Sequence, residues 1–267
     1  MKIRTLFPVG ILVSLLFLCG CTQHPGGNGL GQPVFSPGEI LKNGRSLLYY
    51  KAGYLKLAVD YTAYDTASQK IGKAQFLQAI ASGQYLPLRL VTTDSSIQYK
   101  LYRIPAPVPL GIWRTLQYYG DVYYKYYKRE GEQLPAMNFR DVNGKLYNEA
   151  AISGKIVILK CWFVHCTACV QEMPRLNQLQ KELSGRDDIL FLSVAFDTKE
   201  QLTAFLEKTP FNYAVIPVPK SYIKDTLKVT VYPTHFIVNK KGIITKVADN
   251  ADDLIDALHE QLSRKEL

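Results

Sequence analysis

Ile156-Val157-Ile158-Leu159-Lys160-Cys161-Trp162-Phe163-Val164-His165-Cys166-Thr167-Ala168-Cys169-Val170-Gln171-Glu172-Met173-Pro174 is the stretch on which the reading of this chain turns. Its first eight residues are apolar except Lys160, rich in β-branched and aromatic types, and introduced by Ser153-Gly154, which predicts a buried strand. Beyond it Val170, Met173, Leu176, Leu179 and Leu183 recur at helical spacing until Gly185 ends the pattern. Cys166 and Cys169 therefore fall where a strand hands over to a helix. There the unpaired N–H groups of the first turn and the helix dipole favour a thiolate. Cys166 is predicted to be a nucleophile with a lowered pKa, and Cys169, one turn further in, the less exposed resolving thiol. Pro174 is expected to kink the helix after its first turns.

Working downstream, the chain alternates in type. Ile189 to Phe196 reads as a strand, Thr198 to Lys208 as an amphipathic helix, Tyr213 to Val218 as a short strand and Ser221 to Val229 as a helix. Pro233 to Val238 is a strand that turns through Asn239-Lys240-Lys241-Gly242 into Ile243 to Val247, and Asp252 to Leu262 is a closing helix. This order predicts an α/β fold with a mixed central sheet flanked by helices.

The chain has 267 residues, 47% hydrophobic and 21% charged, a balance that excludes a disordered or multi-span membrane protein. Lys2 and Arg4 precede an apolar run from Leu6 to Leu18, too short for a spanning helix, which needs about 20 apolar residues. Leu18-Cys19-Gly20-Cys21 follows and resembles the lipobox of bacterial lipoproteins. The resemblance implies a signal over residues 1–21 that is removed before Cys21, with Cys21 acylated, since several acyl chains give stable anchoring where one does not. Residues 22–35, rich in Gly, Pro, Asn and Gln, read as a flexible tether. The compartment implied is the bacterial cell envelope, facing an oxidising periplasm. Of five cysteines, three then remain, Cys161, Cys166 and Cys169, too few for a structural zinc, which takes four ligands. A redox dithiol is the sharper reading of the CxxC.

Residues 134–267 resemble a TlpA/ResA-type thioredoxin-fold domain, the membrane-tethered thiol-disulfide oxidoreductases of the bacterial envelope. The residues that carry the likeness are Trp162, Cys166 and Cys169, Glu172-Met173-Pro174, Tyr232-Pro233-Thr234 and the opening segment from Leu134 to Phe139 with Asp141, Asn143-Gly144-Lys145 and Gly154-Lys155. The resemblance implies dithiol-disulfide exchange without a metal or organic cofactor. Cys166 attacks a substrate disulfide and Cys169 resolves the mixed disulfide. It implies a cis peptide before Pro233, which would lie against the CxxC and offer backbone groups to an extended substrate. It also implies that Glu172 supports proton transfer at the thiols; the competing reading is a glutamate on the helix surface. The expected partners are disulfide-containing envelope proteins, a thiol electron donor in the membrane, and the membrane itself through the lipid.

Four residues depart from the family pattern or extend it. Lys160 stands where thioredoxins have a buried Asp. A buried lysine is costly unless paired, so either it pairs with Glu172 beneath Cys169 or it snorkels to water. His165 stands where the family often has Trp; it either stabilises the Cys166 thiolate as an imidazolium or lies on the rim that meets substrate. Cys161 reads as a small buried hydrophobe. His235, two residues after Pro233, reads as a core or strand-face histidine. A copper site with the cysteines is disfavoured because copper-handling relatives carry CxxxC. The remaining alternative to an oxidoreductase is a redox-inactive binding lipoprotein.

Residues 36–130 hold 14 of the 18 tyrosines and match no catalytic motif. Ala74 to Ala81 reads as a helix, Leu86 to Ile104 as a hairpin through Thr93-Asp94-Ser95-Ser96, and Leu110 to Arg129 as a Tyr-rich helix, making a small α+β module. It is expected to dock on the following domain or to recruit a partner. The formal charge of +9 lies mainly here, with 13 basic against 7 acidic residues in 22–133, but without a Lys/Arg block, so nucleic acid is not an expected partner.

Overall fold

A computed structural model describes residues 29–267. The signal, Cys19, Cys21 and most of the tether lie outside the described residues. Among the described residues no helix is long and apolar enough to cross a membrane.

The strand β7 (Ile156–Trp162) is buried at every position and forms the middle of a five-stranded sheet. With β8 (Ile189–Ala195), β9 (Ala214–Pro217), β10 (Thr234–Val238) and β11 (Ile244–Ala248) the order is β11-β10-β7-β8-β9. β7, β8 and β9 run parallel, and β10 is antiparallel to both β7 and β11. Central strands of such a sheet are covered on both faces, which is why β7 is apolar without alternation. Alternation reappears in what each side chain meets. Ile156, Ile158 and Trp162 pack with Met173, Leu176, Leu254 and Leu258, from the helices α7 (Met173–Glu182) and α9 (Ala251–Arg264). Val157, Leu159 and Cys161 pack on the opposite face with Leu134, Met137, Ile223, Leu227 and Phe236. Lys160 is in phase with the first set, so it points beneath the helices that follow the CxxC.

The helix expected after the CxxC is two helices, α6 (Thr167–Gln171) and α7, meeting at Glu172 with Pro174 in the first turn of α7. Proline has no N–H to give to the preceding turn, which accounts for the break. α8 (Lys199–Leu206) opens with a capping box between Thr198 and Gln201. The helix expected over Ser221 to Val229 is instead a single wide turn, Tyr222–Thr226, ending near Lys228 with φ 55°.

The N-terminal module holds α1 (Pro37–Ile40), α2 (Gly44–Tyr54), β1 (Thr62–Tyr64), β2 (Lys70–Ile71), α3 (Lys73–Ala81), β3 (Tyr85–Arg89), β4 (Gln98–Arg103) and α4 (Leu110–Arg129). Its sheet has the order β2-β1-β4-β3. A second small hairpin, β5 (Asn138–Arg140) with β6 (Leu146–Asn148), and the one-turn α5 (Glu149–Ile152) lead into β7. Residues 31–35, counted with the tether in the sequence reading, are held to the module: Pro33 bridges Leu90, and the Phe35 ring meets those of Tyr50 and Tyr54 at 6.2 and 5.0 Å.

Gly31–Leu267 form one compact unit, in which a single cluster of buried side chains runs from Leu47, Phe76, Leu116 and Tyr123 of the module to Trp162, Met173 and Leu254 of the five-stranded sheet and its helices. α4 lies along β11. Its close crossing with α3 depends on Gly120, where a Cβ would stand 2.2 Å from the backbone nitrogen of Ala81.

Candidate active site

β7 ends at Trp162, whose fully buried indole meets the rings of Phe205 and Phe211 at 5.3 and 6.1 Å and anchors the loop that follows. The chain then crosses Phe163 to His165 and reaches Cys166, which caps α6: its Sγ accepts the N–H of Cys169 at 3.2 Å. Cys166 and Cys169 are joined in a disulfide, with Cα atoms 5.2 Å apart. The two sulfurs differ in access, Cys166 being 7% exposed and Cys169 fully buried. Cys166 is the more accessible of the two.

Beneath Cys169 three ionisable side chains converge. The Lys160 ammonium, fully buried, donates to the Cys169 carbonyl at 3.0 Å and forms an ion pair with the Glu172 carboxylate. Lys160 does not snorkel; the pairing is what its cost of burial requires. Glu172, at the joint of α6 and α7, turns Oε2 to the N–H of Ala251 at 3.0 Å, in the first turn of α9, where the helix dipole favours an anion. The third is His235 on β10, directly opposite Lys160 in the β7–β10 register. Its Nε2 is 2.9 Å from Glu172 Oε1, close enough for an ion pair though off the direction of a hydrogen bond, and Nδ1 has no hydrogen-bond partner among the described residues. Burial alone would raise the Glu172 carboxyl, but His235 and Lys160 outweigh it and hold it below the ordinary carboxylate range. Burial pushes the Lys160 ammonium down, with Glu172 opposing.

The opposite wall is the loop before β10. The Tyr232–Pro233 peptide is cis and Pro233 is buried. Half-buried Phe163, Phe196 and Tyr232 gather on the same side, with Phe163 at 5.0 Å from Phe196 and 5.3 Å from Tyr232. A cavity of about 360 Å³ opens beside Ala168, Glu172, Arg175, Pro233 and Asn250, so the Glu172 carboxylate is the edge of the buried cluster that water reaches.

His165 is exposed next to Cys166 and makes no hydrogen bond or ion pair with the described residues. Cys161 is buried on the far face of β7, where burial pushes its thiol well above the usual range. Among the described residues no group of three or more His, Cys, Asp or Glu is arranged to hold a metal ion.

The sequence reading left His235 out of the site. The available signal was the alternation along Thr234-His235-Phe236-Ile237-Val238: two residues from Pro233, His235 takes the face opposite Phe236, and only the register with β7 shows that Lys160 lies on that face too. The N-terminal module also reaches the site's rim. Tyr123 donates to Asp249 at 2.8 Å, Lys51 pairs with the same carboxylate, and Tyr126 shares a 3.1 Å hydrogen bond with Thr234, next to Pro233.

The sequence model of the AhpC/TSA family matches residues 131–247, so the N-terminal module lies outside it. The chain is 30% identical over 123 residues to the thioredoxin-like protein YneN of Bacillus subtilis, covering 45% of this chain and 71% of that one. It is 29% identical over 119 residues to the thiol-disulfide oxidoreductase ResA of Bacillus subtilis, covering 44% of this chain and 66% of that one. Among solved structures, the thioredoxin domain of a thiol-disulfide oxidoreductase from Bacteroides vulgatus superposes with a TM-score of 0.45 at 22% identity, over 49% of this chain and 96% of that one. With its CxxC disulfide at a strand-to-helix junction and its likeness to YneN, the chain belongs to the TlpA/ResA-like family of thioredoxin-fold thiol-disulfide oxidoreductases.

Proposed function

We propose that this oxidoreductase works as a reductase of disulfides in bacterial envelope proteins, held to a membrane by a lipid on Cys21 and facing the periplasm. The observation that supports the exchange reaction is the pairing of the more accessible Cys166 with the buried Cys169, above a carboxylate held in its ionised form; the reduction potential of the pair decides the direction. The Cys166 thiolate attacks a substrate disulfide, and one substrate sulfur leaves. Cys169 then gives its proton to Glu172 and attacks Cys166 Sγ; the new bond closes the Cys166–Cys169 disulfide, and the second substrate sulfur departs with the electron pair of the broken bond. Lys160 keeps Glu172 ionised and favours charge at Cys169. Pro233 and the aromatic side chains around it receive the extended substrate chain, with His165 on the rim. A thiol donor in the membrane returns the pair to the dithiol.

The test is the reduction potential of the Cys166/Cys169 pair, measured by equilibration against thiol buffers. A value near about −270 mV supports a reductant, and one near about −120 mV would mark an oxidant and overturn the direction. The anchor is tested separately: Cys21→Ala should move the protein from the membrane fraction to the soluble one.

A further inference from the structure

Lys160 and Glu172 account for one cation and one anion under Cys169, but the cluster contains a third ionisable group that the exchange chemistry above does not use. His235 is fully buried, and burying an imidazole whose Nδ1 has no hydrogen-bond partner among the described residues costs free energy, so a compensating interaction is expected. The contact it makes is with Glu172 Oε1, the oxygen that also faces Lys160. The register sets this up: Lys160 and His235 are directly paired across β7 and β10, on the face that α6, α7 and α9 cover. The other charged or titratable groups around the cluster are Cys169 from α6, Arg175 of α7 with its ion-pair partner Asp252, Tyr213 before β9, Asp249 just before α9 and Asp253 in its first turn. Asp249 and Asp253 are acidic, and Tyr213 is held protonated by burial. They supply no positive charge, and exposed Arg175 is paired with Asp252, which leaves Lys160 and His235 as the groups set against Glu172.

We propose that His235 is a positioning residue of the exchange reaction: set against Glu172 Oε1, it keeps the carboxylate ionised and aimed, ready to take the Cys169 proton in the step that closes the disulfide. This rests on the reading of Glu172 as proton acceptor. The chemistry balances within the site. Cys169 S–H loses its proton to Glu172, the S–S bond to Cys166 forms, and the bond from Cys166 to the substrate sulfur breaks with its electron pair leaving on that sulfur. His235 changes how readily Glu172 accepts, without touching sulfur itself. The order Lys160, Cys166, Cys169, Glu172, His235 in sequence is thus a single charge cluster in space, and the histidine two residues after Pro233 belongs to it.

The experiment follows the resolving step in the full-length protein. Reduced protein is mixed with an aromatic disulfide whose thiol absorbs on release: attack by Cys166 frees one chromophore, and closure by Cys169 frees the second. The rate of the second phase is recorded against pH for wild type, His235→Gln, His235→Leu and Glu172→Gln. In wild type the second phase should slow as pH falls through the value of Glu172. In His235→Leu that fall should move up by about one pH unit or more, the size of effect an opposite charge at contact distance has on a carboxyl. His235→Gln, which keeps a polar side chain against Glu172, should shift it less, while the first phase stays as in wild type. A second-phase profile in both His235 variants that overlays wild type would overturn the proposal. Glu172→Gln separates the two claims: if it leaves the wild-type profile intact, the reading of Glu172 fails; if it abolishes the pH-dependent fall while the His235 variants overlay wild type, only the role of His235 fails. Should His235→Leu not fold, the comparison of His235→Gln with wild type decides alone.

Discussion

Replacing Lys160 with Met is the perturbation whose consequences the structure specifies most fully. The ammonium is completely buried, donates to the Cys169 carbonyl and pairs with Glu172; methionine fills a similar volume with no charge. Removing one partner of a buried ion pair costs about 3–5 kcal/mol, because the other charge is left without compensation. Here the lower end applies, since the Glu172 side chain is 11% exposed and keeps the Ala251 N–H and His235. For a chain of this size a loss of about 3 kcal/mol corresponds to a fall in Tm of roughly 6–12 °C. The pH dependence follows from the sign of the shift. In wild type the Glu172 carboxyl is held below its ordinary value, so its contribution to stability is present above the unfolded value of about 4.3 and is lost as pH falls through the folded value. Without Lys160 the burial that raises this carboxyl is opposed by less, so the two proteins should differ most near neutral pH and converge in acid. Urea unfolding of the oxidised proteins at about pH 7 and about pH 3.5, followed by ellipticity, measures both. Lys160→Met/Glu172→Gln should recover most of the loss, since no buried charge is left alone. Equal stabilities at neutral pH, or a gap that persists unchanged in acid, would refute the reasoning.

Cys169→Ser should leave Cys166 able to attack and unable to be released, so a mixed disulfide on Cys166 accumulates, seen as added mass; turnover as in wild type would refute the assigned order of attack. Asp253, buried with one carboxylate oxygen unpartnered among the described residues, has its pKa pushed up to about 7 by burial and the Asp249 charge. Its folded value lies above its unfolded one, so its contribution to wild-type stability is fully present in acid and is lost as pH rises from about 4 through about 7. Asp253→Asn should flatten that fall and gain up to about 4 kcal/mol above it, less about 1–3 kcal/mol for burying the amide, and an unchanged slope in pH-dependent unfolding would count against it. Gly120→Ala forces a Cβ to 2.2 Å from the Ala81 backbone nitrogen and should destabilise by about 1–3 kcal/mol; unaltered thermal unfolding would mean that α3 and α4 separate without cost.

The N-terminal module does more than precede the thioredoxin fold. Its α4 supplies Tyr123 and Tyr126 to Asp249 and Thr234, the residues beside α9 and Pro233, so the tyrosine-rich stripe is a packing face against the walls of the site. Buried tyrosines bring large apolar area and a hydroxyl that needs a partner, and the partners here lie on the other module.

How much was legible beforehand follows the range of the forces concerned. Strand β7, the CxxC junction, the break at Pro174 and the full extent of α4 are local matters of hydrophobic period, helix termini and proline geometry, and they were readable from 156–174 and 110–129. The wide turn at Tyr222–Thr226 was not, because its apolar residues meet the sheet face beside Leu134 and Phe236 rather than completing a helix. Even the pairing of Lys160 with Glu172 was within reach, since an unpaired buried ammonium is too costly and Glu172 lies one turn past Cys169. What tertiary structure alone decided is the company these groups keep. The antiparallel register of β10 on β7 puts His235 opposite Lys160, and the first turn of α9 brings the Ala251 N–H to the same carboxylate. Residues 75 positions apart from Lys160 in one case and 79 from Glu172 in the other meet there because strand pairing and helix packing fix distances that no local pattern encodes.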